Sequence, residues 1–257
     1  QILDESQLKI ITIGVESGSP EILKKTKKGF TDIEKVLHIN LAGNNLFGIS
    51  TAKSIISFCV YYFQGNVKLA YETSDEAIRI AEQSGDIFSK AFAHCMHGAS
   101  CYGRGLFEEA KNHLLKAVDF CERINLFLCD AISRLHLGEM LFDIGEYIQS
   151  RVHYDKAVWL LENHRLLPSM VSLNRIGSAR ARVMNNEKDY NLKLLHSYAH
   201  ENKLKVYEGW MQAHIAEILL NTEDDLTKAE KCIKQAIEAD KRNHMMFRLG
   251  RDYAVYA

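Results

Sequence analysis

The sequence predicts an all-α protein, a row of stacked antiparallel helical hairpins, and three observations predict it. The first is the scarcity of breakers: only 2 Pro and 15 Gly occur in 257 residues, too few for a turn-rich β chain or a disordered one. The second is an internal repeat. Gly65, Gly105 and Gly145 form one series, Ala70, Ala110 and Ser150 a second, and Ala77, Ala117 and Ala157 a third, each stepping by 40 residues. The third is the helical spacing of apolar residues between these landmarks, as in Ile132, Leu135, Met140 and Leu141, or in Leu114, Leu115, Val118 and Cys121. Small side chains let two helices approach closely, and the glycine between them takes a turn conformation that a Cβ penalises. Such hairpins carry two apolar faces, so each copy must stack on the next and an α-α solenoid results.

The elements follow in order. Residues 1–50 fall out of phase and read as an irregular helical N-terminal cap or partial repeat. Within them Ser19-Pro20-Glu21 has the form of a helix start, Thr31 to Glu34 has capping-box spacing, and Gly43-Asn44-Asn45 ends a helix. Residues 51–257 hold about five hairpins and a truncated last one. The second copy carries Gly98, and the third Leu137-Gly138 followed by Leu141. A weaker fourth copy steps on to Asn185, Tyr190 and Ser197, where Asn tolerates the left-handed conformation. Ala229, Ile233 and Ala236 mark the fifth, and Leu249-Gly250 with Tyr253 the last.

Composition narrows the function. The 32 Lys and Arg against 33 Asp and Glu leave a formal charge of −1, so the clustered cations that nucleic acids require are missing. The longest apolar stretches, such as Ser54 to Phe63, fall short of a membrane span, and the first residues do not resemble a signal peptide. Cys59, Cys95, Cys101, Cys121, Cys129 and Cys232 include no CxxC pair and read as reduced, buried thiols of a cytoplasmic protein. The start without Met and the end at Ala257 lead us to expect a fragment of a longer protein.

Catalytic and metal signatures are weak. Gly14 to Lys28 lacks the GxxxxGK[ST] pattern of a phosphate loop and reads as a solvated basic helix face. His94, His97 and Cys101 share one helical face, as do His196 and His200, but the first three occupy packing positions of the repeat and no fourth ligand follows at a metal spacing. No metal, no cofactor and no catalytic residues are expected.

The order small residue, Leu-Gly-x2-aromatic, Ala-x3-bulky-x2-Ala resembles the tetratricopeptide repeat (TPR) over about residues 51 to 257. The period of 40 departs from the usual 34, His94 and Arg134 stand at the Trp-like position, and the helix-ending Pro is absent. HEAT and armadillo repeats share this period range, but their proline and charged landmarks are missing. The resemblance implies a right-handed superhelix with longer helices than the common kind. Ala236 to Tyr253 is similar to the end region of bacterial adenylate/guanylate cyclase–AAA ATPase fusions, and the long repeat to the C-terminal regions of maltose-regulator-type NTPases.

The TPR resemblance also implies a concave groove lined by the first helix of each hairpin. Its partner-binding residues would be Tyr62, Phe92, Tyr102, Leu135, Glu139, Phe142, Arg175, Arg182, His214, Phe247 and Arg251, apolar and aromatic at one end and basic at the other. The alternative is that these residues form an ordinary tight core. An open groove would suit a protein or peptide segment, in trans or from the same chain, with an acidic end; oligomerisation is compatible with it, while nucleic acid and membrane are not expected partners. The leading expectation is thus a non-catalytic interaction scaffold within a signalling protein. The alternative is an effector-sensing domain controlling an attached ATPase, nucleotide cyclase or transcription activator.

Overall fold

A computed structural model describes residues 33–187, 190–222 and 226–257. Among them every regular element is helical. The starts at Ser19-Pro20 and Thr31 and the Gly14–Lys28 segment lie outside the described residues. By its internal contacts the chain divides into two compact units at Ile124/Asn125.

In the first unit a helix at 33–42 ends in a turn where Asn44, with φ of 49°, takes the left-handed conformation expected around Gly43. Asn45 then caps α1 (Leu46–Ile55) by accepting from the Gly48 amide. The chain continues as a π-helix, Ile56–Tyr62, followed by α2 (Val67–Ser84), α3 (Ile87–Gly103) and α4 (Phe107–Ile124). The small-residue landmarks do what the repeat requires. Ala70, Ala77, Ala110 and Ala117 are fully buried, and the Ser57 hydroxyl donates to the Ala70 carbonyl at 2.7 Å, which only closely packed helices allow.

The second unit comprises α5 (Phe127–Asp143), α6 (Tyr147–Asn163), α7 (Pro168–Met184), α8 (Leu192–His200), α9 (Lys205–Thr222), α10 (Leu226–Arg242) and α11 (Met246–Tyr256). The pairs α5/α6, α7/α8 and α9/α10 are its hairpins. Ser150 donates to the Gly138 carbonyl at 2.7 Å, the counterpart of the Ser57 bond. The Tyr154 ring is wedged between Gly138 and Gly177: a Cβ on either would lie within 2.8 Å of it. Pro168 occupies the first turn of α7, where its missing N–H costs nothing.

Gly65, Gly105 and Gly145 have φ of 78°, 75° and 84°, and each precedes an amide that bonds back five residues: Asn66 to Tyr61, Leu106 to Cys101, Glu146 to Leu141. In the fourth copy the residue in this conformation is Asn186, with φ of 61°, and Glu187 bonds back to Arg182. Asn185, the residue the 40-residue step selects, is not left-handed, with φ of −89°, so the step here is one residue longer. The fourth hairpin also departs in length. Its second helix, α8, has 9 residues, whereas α2, α4, α6 and α10 have 17 or 18.

Candidate partner-binding site

The residues expected to line a groove fall into three environments. In the first unit Tyr62, Phe92 and Tyr102 are all buried. Tyr62 stacks on Phe58 with centroids 5.4 Å apart, and its edge fills the space that a Cβ on Gly103 would need. Phe92 continues a ring contact that runs through Phe88 to Phe47. Tyr62 and Tyr102, 40 residues apart, share one phase of the repeat, and all three aromatics pack against neighbouring side chains.

In the second unit, the first helices of successive hairpins meet at Glu139, which has no exposed surface. Its Oε1 accepts from the Tyr154 hydroxyl of α6 and from Arg180 Nη2 of α7 at 3.1 Å, and lies 3.2 Å from His214 Nε2 of α9. Its Oε2 accepts from Arg248 Nη1 of α11 at 3.3 Å. Arg180 also donates to Glu217 at 2.7 Å, and its guanidinium lies 3.6 Å over the Phe142 ring. Arg248 covers the Trp210 ring at 4.3 Å, and Trp210 Nε1 donates to His214 Nε2 at 3.0 Å. Leu135 is buried, and Phe247 is half-buried. Arg251 forms a two-pronged pair with Asp143 at 2.5 and 2.6 Å.

Electrostatics follow from this enclosure. Burial would raise the Glu139 carboxyl, but His214, Arg180 and Arg248 outweigh burial and hold it well below the usual carboxylate range. Burial pushes His214 down to about 4, helped by Arg180. Burial and the Glu139 charge raise Tyr154 well above the usual phenol range. Glu139, Leu135 and His214 thus contribute to the interior of the unit, where side chains of its own helices fill the face they line. The sequence distinguished Glu139 only as a polar residue in an apolar phase; nothing local announced partners up to 109 positions away.

Arg175 and Arg182 sit at the surface. They line a pocket of about 400 Å³ between α6, α7 and α8, together with Asp155, Trp159, Glu162, Leu194 and Tyr198. Arg175 donates to Glu162 at 2.5 Å and to the Tyr198 hydroxyl, while Arg182 lies 3.9 Å from Asp155. Trp159 is half exposed, with Lys156 Nζ 4.0 Å from its ring centre. A second cleft, of about 920 Å³, is bordered by Ala199 and His200 at the end of α8. The cleft is lined by charged residues of α9, α10 and the segment before α9, including Lys203, Lys205, Glu208, Lys231, Lys234 and Arg242.

His94 and His97 pack as the repeat phase implied. His94 Nδ1 lies 2.8 Å from His113 Nδ1, and Ser74 meets His97 Nδ1 at 2.9 Å. Burial and their neighbours' charges lower His94 to about 4 and His97 to about 3, and burial lifts Cys101 to about 12. Among the described residues no three His, Cys, Asp or Glu side chains converge as metal ligands, and no helix is long and apolar enough to cross a membrane. All six cysteines are free thiols.

No family model and no curated protein matches the chain. Its fold is similar to the solved structure of the apo form of RapI, with a TM-score of 0.56 and 13% identity, over 88% of this chain and 94% of that one. This likeness concerns the arrangement of helices and extends the all-helical repeat reading to nearly the whole of both chains.

Proposed function

We propose that the chain is a non-catalytic protein- or peptide-binding scaffold, a TPR-type repeat of long period serving as the interaction part of a larger bacterial signalling protein in the cytoplasm. The observation that carries this reading is the pocket between α6, α7 and α8, where an exposed Trp159 and Tyr198 stand beside Arg175 and Arg182. Amphipathic aromatics beside guanidinium groups are the residue types that dominate protein interfaces. An acidic peptide end would exchange with Glu162 for the Arg175 guanidinium, while an apolar side chain covers Trp159. The remaining groove residues act inside their own units: Leu135, Glu139, Phe142, His214, Phe247 and Arg251 hold together the hairpins of the second unit, which presents this surface, and Tyr62, Phe92 and Tyr102 those of the first. Arg175→Glu combined with Arg182→Glu should abolish capture of partners from a cell extract while leaving the helical circular dichroism unchanged. Undiminished capture of every partner would rule this surface out.

The charged cleft beside α10 favours a second reading, an effector-sensing domain for a small anionic ligand that controls an attached ATPase, cyclase or transcription activator. A thermal-shift screen of anionic metabolites tests it, and the absence of any stabilising compound would speak against it.

A further inference from the structure

The second unit holds two buried carboxyls that the scaffold reading does not use. Asp240, near the end of α10, and Asp252, on α11, are both fully buried, and neither accepts a hydrogen bond from any donor group. The two carboxyls face each other across the α10–α11 contact. Asp240 also abuts α9, where a Cβ on Gly209 would stand 2.0 Å from its Oδ1. The charged groups around the pair are Glu208 and Glu217 on α9 and Arg248 and Arg251 on α11. Both arginines are already engaged, Arg248 with Glu139 and Arg251 with Asp143 of α5. Two adjacent carboxylates enclosed without a donor are costly, and a proton shared between them supplies the missing hydrogen bond.

We propose that the Asp240–Asp252 pair is a proton-dependent latch, which holds α11 against α10 while a proton is shared and releases it when that proton is lost. The same helix carries Arg248 and Arg251, so release also removes one cation from each of Glu139 and Asp143. Release of the helix therefore weakens the pairing of both α5 carboxylates within the unit.

The sign follows from the environment. Burial and the neighbouring carboxyl raise Asp240 to about 8, and burial raises Asp252 to about 6, against 3.8 for both when solvated. Docking of α11 therefore takes up a proton. It is complete below 3.8, weakens as the pH rises from there and is lost by about 8.

Hydrogen–deuterium exchange of the full chain from pH 5 to pH 9, corrected for intrinsic exchange, tests the latch. We expect protection of the α11 amides to fall about tenfold per pH unit in the window where the proton is lost, with α5 to α7 far less affected. Asp240→Asn supplies a permanent donor and should flatten the profile; Asp252→Asn does the same from the other side if the first variant does not fold. In a Trp159→Phe background, Trp210 fluorescence should report the loss of Arg248 from its ring over the same range. Protection of α11 that stays constant from pH 5 to pH 9 in the parent chain, or Asn variants that keep the parental slope, would overturn the proposal. Because the exchange experiment and the Asn variants leave the Arg175–Arg182 surface untouched, failure of the latch and failure of the scaffold reading are distinguishable.

Discussion

Glu139 shows how much a single side chain can organise. Its carboxylate gathers a phenol, two guanidinium groups and an imidazole from four other helices, so its loss would take the paired carboxylate from the buried Arg248 and leave Arg180 with Glu217. Glu139→Ala should destabilise the protein by about 3–5 kcal/mol, measured by urea unfolding; a change below 1 kcal/mol would show the cluster to be dispensable. The glycines around Tyr154 act by the opposite means, by absence. Gly138→Ala or Gly177→Ala must push a methyl into the Tyr154 ring, and overpacking of that kind costs about 1–3 kcal/mol. His94 and His97 introduce pH dependence of their own. Their folded-state values of about 4 and about 3 lie below the ordinary 6.5, so stability is complete above 6.5 and declines as acid protonates the unfolded chain first. Melting temperatures from pH 7 to pH 4.5 should fall less steeply in His94→Gln than in the parent chain, and parallel curves would contradict this.

At the scale of the element, the repeat works through how helices end. Gly105 and Gly145 are left-handed, and no atom lies within 4 Å of where their Cβ would be, so their replacement by Ala carries a backbone cost alone. We expect Gly105→Ala to lower stability by about 1–2 kcal/mol and Gly105→Asn by less, by thermal melting of the two variants; equal losses would point to a packing cause. These turns were legible because a left-handed conformation selects glycine and so leaves a mark in the sequence. The fourth copy was harder to read. Asn186 takes the left-handed position in a step of 41 instead of 40, and α8 stops after 9 residues, which breaks the phase on which the repeat depends. Trp159 stands at a repeat position that Arg79 and Asp119 also expose in the preceding copies, and here it lies in the pocket that holds Arg175 and Arg182.

At the scale of the molecule, the chain divides at Asn125, and every side chain bonded to Glu139 belongs to residues 125–257. That segment should therefore fold when produced alone, with cooperative urea unfolding and helical circular dichroism; a molten or aggregated product would show that it depends on the preceding residues. The sequence by itself determined the all-helical class, the hairpin as the repeating unit, the small residues where helices meet and the glycines where they turn. Each of these is a local requirement, met within a few residues or one hairpin, so each leaves a periodic trace. Only the tertiary structure decided that Leu135, Glu139 and His214 lie inside the second unit while Arg175 and Arg182 reach its surface. It alone brought Arg248 to Glu139 across 109 positions and Asp240 to Asp252. The physical reason is that the meeting of side chains from successive hairpins depends on the small rotation added at each packing step. That rotation accumulates from many helix contacts and is encoded by no single spacing in the chain.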